Sequence, residues 1–485
     1  MKKILFIATS ILLSAAITCD SVVAERGAVT NTWTVAEDST EATITGGPWT
    51  LGQGPTTKAI ASVGYCLNGL PQTNPGTNLF QPYYFPLTIG QGLNLQGYFD
   101  YRPKDSNEAI VAASSSDGGL TWNFQQEVLE LNPGLCPSSD NTTNATTYPS
   151  SSTDDGLLSG NDAGQGHPFV LDINRKRFLY TLDRTTNNVD VVGLVIHQLQ
   201  PTATQPLNPT PPTFDVSTPT KPLSSPQPKH TIGLLNPDGI ITEVPGSYPR
   251  VVLYLQKQKS ADNKGETALT AEQQCAAPPV GADQVGKTPN HDIVTPRLAK
   301  TKDGIHFTDL GPVSGLNDST TVSWTGTRYV GPRGTLIQLP HHRYGFFFSG
   351  GNCLDADSDA FHYIGYAESN GDLHNWKVIN GINNPIASIK DITVGSNDSS
   401  NFGEPINIPA NPPVIATQEW FFQRVYSPNA TLVPNNQVSL VFAGYKVKGP
   451  SSDYSNYRTI THTTLNSSLR LLYGNEKERE GGDKE

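Results

Sequence analysis

No stretch of this chain repeats apolar residues at the spacing of an amphipathic helix. Short alternating or β-branched runs recur instead between turn formers, as in Glu108–Ala112, Arg177–Leu182, Val189–His197, Val251–Leu255, Tyr344–Ser349 and Val438–Tyr445. A period of two puts alternate side chains on one sheet face, so these runs predict strands and an all-β chain. Composition matters here in two ways. The 44 Gly and 38 Pro supply the turns, and a charged content of 16% is too low to lace the outer faces of a helical bundle.

A loose internal repeat appears when segments are aligned on proline. Gly166–Leu171, Val294–Ala299, Val330–Ile337 and Tyr426–Val433 follow one plan, and in three of the four a second strand follows closely. Proline suits a strand whose first residues donate no ladder hydrogen bond. Units of about forty residues or more, each holding a few strands, indicate a β-propeller. Five blades can be drawn, centred on Tyr98–Trp122, His167–Leu199, Ile240–Phe307, Tyr329–Trp376 and Arg424–Tyr457. An outer strand from Thr32–Leu51 would close the ring and hide an open edge. The expectation is one five-bladed propeller domain over residues 25–470, with six blades as the alternative. Residues 201–228, rich in Pro and Thr, read as an exposed loop, and residues 471–485 as a disordered charged tail.

The N-terminus has Lys2 and Lys3, an apolar run from Ile4 to Ile17, and small residues ending at Ala24. That is the pattern of a secretory signal peptide over residues 1–24, and it predicts a secreted or periplasmic protein. A lipidated Cys19 is the rival reading. The run is too short for a membrane span, and no later segment is long and apolar enough for one. With 33 basic against 44 acidic side chains, the net charge of −11 argues against nucleic acid and anionic membranes as partners. A neutral substrate fits better. Cys66, Cys136, Cys275 and Cys353 allow three pairings in an exported chain, with free buried thiols as the alternative. Their wide spacing argues against zinc. The alternating Asp355, Asp357 and Asp359 lack the later Gly and Glu of a calcium loop and read as solvated charge. No metal or cofactor is expected.

Ser115–Trp122 (Ser-Ser-Asp-Gly-Gly-Leu-Thr-Trp) fits S-x-D-x-G-x-T-W at every defined position. It resembles the Asp-box turn of sialidases and other propellers. Thr301–Phe307 is a degenerate copy, and Ser369–Trp376 is similar to a turn of arabinanase- and invertase-like enzymes. Each favours a scaffold role: Asp to hold turn amides, Gly for a positive φ, an aromatic to wedge between sheets. Tyr344–Cys353, Tyr363–Ser369 and Val438–Tyr445 resemble later blades of five-bladed glycoside hydrolases such as arabinanases, xylosidases, invertases and levansucrases.

That resemblance implies a glycosidase-type enzyme acting on an oligo- or polysaccharide. Glycoside cleavage needs one carboxyl as acid and another as base or nucleophile. The family's chain order implies Asp100 as base or nucleophile and Asp292 as the orienting carboxylate. Its glutamate has no counterpart at Gly331–Gly334, so Glu404 stands as the substitute acid, with Glu243 as another. Residues starting the innermost strands should converge at the channel mouth: Arg102, Asp162, His167, His291, Arg297, Arg333, Arg424 and Tyr426 are the expected substrate-binding set. Turn capping by the aspartates, packing of His167 and ion pairing of the arginines are the bland alternatives. Two other functions stay open. A sialidase-like enzyme is favoured by the Asp-box and the arginines, and a non-catalytic glycan- or protein-binding propeller by the missing glutamate.

Overall fold

The structure, a computed structural model, describes residues 29–45, 66–67, 70–71, 84–101, 109–129, 162–174, 176–185, 191–199, 234, 237–259, 292–316, 334–351, 361–381, 384–390, 411–421, 425–445 and 458–471. Residues 1–24, the 201–228 loop, Cys19, Cys136, Cys275, Cys353 and the Asp355–Asp359 run lie outside them, as does all of the tail beyond Leu471.

The described residues are all-β and form a propeller arrangement. Strands β1 (Trp33–Glu41) and β2 (Thr43–Thr45) open the chain, and β3 (Cys66–Leu67) and β4 (Leu70–Pro71) make a small ribbon. The first large sheet holds β5 (Tyr84–Gln91), β6 (Asn94–Tyr101), β7 (Ala109–Ser115) and β8 (Thr121–Leu129), in that spatial order. The second holds β9 (Asp162–Ile173), β10 (Lys176–Thr185) and β11 (Val191–Leu199). The third runs β12 (Pro237–Glu243), β13 (Arg250–Lys259), β14 (Asp292–Thr301), β15 (Phe307–Pro312). The fourth runs β16 (Gly334–Leu339), β17 (Arg343–Gly351), β18 (Phe361–Ser369), β19 (Lys377–Asn380), with β20 (Ala387–Ser388) also on β18. The fifth runs β21 (Val425–Val433), β22 (Gln437–Tyr445), β23 (Arg458–Ser467), and β1 completes its outer edge.

First strands meet around an axis: β5 packs against β21 and β9, β9 against β12, β12 against β16, and β16 against β21. The inner strands are buried between neighbouring sheets, which explains their apolar runs without alternation, whereas the outer strands β1 and β15 expose alternate residues. In β17, Phe347 packs on Trp33 and Tyr366, whereas Phe346 and Phe348 turn the other way, toward Trp376 and Tyr363. The expected outer strand near Thr32 is β1, antiparallel to β23. The chain then crosses to the first sheet, where β2 runs parallel to the end strand β8.

Three turns between third and fourth strands share one design. Gly119 N–H donates to Ser115 Oγ at 2.9 Å, Thr121 N–H to Asp117 at 2.9 Å, and the Trp122 indole to Gly119 O at 2.8 Å. Gly118 and Gly119 have φ of 81° and 107°, so only glycine sits there without strain. In the second turn Gly304 N–H donates to Thr301 Oγ1 at 2.9 Å and His306 N–H to Asp303 at 2.8 Å. In the third, His374 N–H donates to Asp372 at 2.9 Å and the Trp376 indole to Leu373 O at 2.7 Å. Their carboxylates are used up by turn amides, a scaffold role.

Candidate functional site

The two ends of the sheets differ. Turns from first to second strand are tight, at residues 92–93, 174–175, 244–249, 340–342 and 434–436, and the three aspartate turns lie at this same end. Connections at the opposite end include residues 102–108, 130–161, 260–291, 352–360 and 446–457. Long connections on a rigid scaffold are where binding chemistry concentrates, so the end where the first strands begin is the candidate mouth.

Below that mouth the axis is zipped by small neutral polar groups. Asn429 on β21 donates to Pro86 O and to Ser427 O (3.0 Å), and accepts from Thr88 N–H at 3.2 Å. Thr88 and Thr431 hydroxyls meet at 3.2 Å, so β5 and β21 run the same way. Thr335 Oγ1 donates to Pro428 O at 3.1 Å, and Leu336 N–H to Thr242 Oγ1 at 3.3 Å, which carries the chain of bonds through β16 to β12. Buried amides and hydroxyls satisfied in this way fix the first strands against one another. Next to this seam Ser427 takes φ = 54° before Pro428, at a bulge of β21, and its N–H is held by Ser349 Oγ at 2.8 Å.

The expected site residues fall as follows. Asp162 is the first residue of β9, a first strand, and His167 lies further along it. Tyr426 is the second residue of β21 and buried. Asp100, near the end of β6, pairs with Tyr84 at the start of β5. Asp292 opens β14 and pairs with Lys259, the last residue of β13. Asp100, Asp162 and Asp292 therefore hold strand positions at the mouth end of three consecutive sheets. Arg102, His291, Arg333, Glu404 and Arg424 lie outside the described residues.

Two expectations need correction. Asp100 is on the second strand of its sheet, and Asp292 and Arg297 are on the third, not on innermost strands. The proline alignment misled: Pro168 and Pro428 are in first strands, but Pro296 is in β14. Its carbonyl accepts Val313 N–H at 3.0 Å just past β15, where no further strand needs the missing N–H. Arg297 is also engaged. Its guanidinium grips Asp309 at 2.9 and 2.6 Å, holding that carboxyl below the usual range, and Tyr254 OH donates to the same carboxylate at 2.8 Å.

Glu243, the other candidate acid, ends β12 and so belongs to the tight-turn end. Arg250 Nη1 binds it at 2.7 Å, and Arg250 Nη2 also reaches the Asp172 carbonyl at 3.2 Å. Asp172 in turn pairs with Arg177, which donates to Tyr98 OH at 3.0 Å. Burial pushes the Glu243 carboxyl up to about 7; Arg250 opposes the rise and Asp172 adds to it. Because the folded value lies above the unfolded one, ionising Glu243 works against the fold, and this contribution to stability is lost as pH rises from about 4.5 through 7. Glu243→Gln is expected to flatten that slope. It should be more stable than the parent at pH 8 by about 1–2 kcal/mol, and no more stable at pH 4. Denaturant midpoints across the range check it; parallel curves for the two proteins would refute it.

Sequence reading missed Ser427, Asn429, Ser349 and Thr242. The Ser-Pro-Asn run at the head of an otherwise apolar strand was the available signal. Among the described residues no cluster of His, Cys, Asp or Glu is arranged to hold a metal, and no helix is long and apolar enough to cross a membrane.

No family model matches the chain, and no curated protein matches it. Among solved structures it is similar to a glycoside hydrolase (12% identity, 82% of this chain and 90% of the other, TM-score 0.42). It is also similar to a glycosyl hydrolase from Bacteroides ovatus (10% identity, 85% and 92%, TM-score 0.42). A third is a GH43_1 enzyme from Xanthomonas citri complexed with xylotriose (11% identity, 81% and 89%, TM-score 0.38). At this level of likeness no function transfers from them.

Proposed function

We propose that this chain is an exported carbohydrate-active enzyme of glycosidase type, a five-bladed propeller with one blade per large sheet and an Asp-box turn at Ser115–Trp122. Its leader is removed after Ala24. The observation that supports the reading best is the common placement of Asp100, Asp162 and Asp292 at the long-connection end of a neutral, hydroxyl-rich axis. Neutral polar walls suit a sugar, and two carboxylates in different environments suit general acid and base. In this reading Asp100 is base or nucleophile, Asp292 orients and raises the acid, and Glu404 is the acid. Arg102, Asp162, His167, His291, Arg333, Arg424 and Tyr426 bind the substrate. Arg297 drops out, being spent on Asp309.

The fourth-blade glutamate replaced at Gly331–Gly334 favours a second reading, a glycan-binding propeller without turnover. Incubating the purified protein with aryl glycosides and with xylo- and arabino-oligosaccharides separates the two. Release of aglycone or shortened oligosaccharide is the expected result. No release from any member, with retention on a glycan array, would replace the enzyme by the binder.

A further inference from the structure

The residues ahead of β1 are held more firmly than an edge strand requires. Arg343 Nη1 donates to Val29 O at 2.8 Å, and Asn31 N–H donates to Glu368 Oε1 at 2.8 Å. Arg343 and Glu368 form an ion pair and are 8% and 6% exposed, and Tyr366 OH adds a bond to Glu368 at 3.2 Å. The other end of Asn31 faces the fifth sheet. Its Oδ1 accepts from Ser467 Oγ at 2.9 Å, Ser468 Oγ at 3.0 Å and Leu469 N–H at 3.1 Å. Trp33 follows, wedged 5.0 Å from Phe347 and 5.4 Å from Tyr366. Beyond it β1 lies along β23, Ala42 N–H donates to Ile460 O at 2.8 Å, and β2 joins the first sheet.

One extended segment thus grips the fourth, fifth and first sheets in succession. A strand slipped by one residue would turn its side chains to the wrong face. Asn31 prevents that slip, because its N–H fits one carboxylate and its amide oxygen fits one turn. We propose that residues 29–45 form a separable clasp: a strand that docks on an otherwise complete propeller, recognised by Glu368 at Asn31 and by Arg343 at Val29, and held there without needing its covalent link to β3. The partner this surface fits is the chain's own N-terminal strand, bound by strand addition to the β23 edge. The first strands already meet around the axis through β5 and β21, so the clasp completes the outer edge of the fifth sheet once β23, made last, is in place.

The test uses the full-length protein with a protease site inserted within residues 46–65 and cut after folding. The N-terminal piece should co-elute with the body on size exclusion, and β23 amides should stay protected from exchange. A labelled peptide of residues 29–45 should then replace the cut piece, whereas the same peptide carrying Asn31→Ala should compete at least tenfold more weakly. Cut Glu368→Gln protein should shed its piece at least tenfold faster than the parent. Immediate loss of the piece from the cut parent, or equal competition by the Asn31→Ala peptide, would overturn the proposal. The peptide competition needs no altered body, so a folding defect of Glu368→Gln leaves the proposal open to refutation.

Discussion

Asp100→Asn and Asp292→Asn should each lower turnover of any glycoside that the parent cleaves by about 10²–10⁴-fold, the usual worth of a positioned proton-transfer group. Asparagine keeps the size and hydrogen-bonding reach of the carboxyl but neither carries the negative charge nor takes a proton. Binding should therefore survive while chemistry fails, which appears as loss of kcat with KM little changed. The two variants should also differ. Loss of the base or nucleophile at Asp100 takes its ionisation out of the profile, so the acidic limb of the residual activity should flatten. Loss of Asp292 removes the like charge that keeps the acid protonated, so the basic limb should move to lower pH. Because asparagine is nearly isosteric with aspartate, unfolding midpoints should stay within about 1 kcal/mol of the parent. Full activity in both variants would remove these two residues from the mechanism.

The second large effect is on stability. Arg343→Met is expected to destabilise the protein by about 3–5 kcal/mol, because buried Glu368 would be left without its ion-pair partner. The double variant Arg343→Met with Glu368→Leu should recover most of that loss. No charge is then left buried, and apolar side chains of similar volume often serve as well as a buried pair. Chemical denaturation of the parent, both single variants and the double gives the coupling directly. Additive losses would show that the pair is not coupled and that Arg343 acts mainly by bonding Val29 O. Neither change touches the mouth, since β17 begins and β18 ends at the tight-turn side.

Much of the architecture could be read in advance because it is written locally. Short apolar and β-branched runs mark β7, β10, β13 and β22, and the aspartate turns carry their chemistry within eight residues. Strand position within a sheet is written less plainly. Strand β5 escaped notice because Pro86 and Gly90 interrupt its Tyr-Phe-Pro-Leu-Thr-Ile-Gly pattern. A first strand has only one ladder neighbour, so its free side tolerates proline, and Asn429 uses the Pro86 carbonyl from that side. The mouth was legible as a set of residue types but not as a geometry, since Pro296 in β14 looks in sequence like Pro168 in β9. The contacts of Asn31 left no trace in the sequence: its partner Glu368 is 337 residues away. A pairing between such distant residues depends on ring closure and has no local pattern.

The pairing of Trp33 with Ser467 has a practical consequence. It brings the start and finish of the folded body side by side, on the side facing away from the mouth. A reporter or linker joined directly to the described body beside Thr32 or Ser468 would thus start on the side away from the mouth. The same adjacency makes the chain suited to rewiring: a short bridge could join the two ends, and new ones could be opened elsewhere on the perimeter.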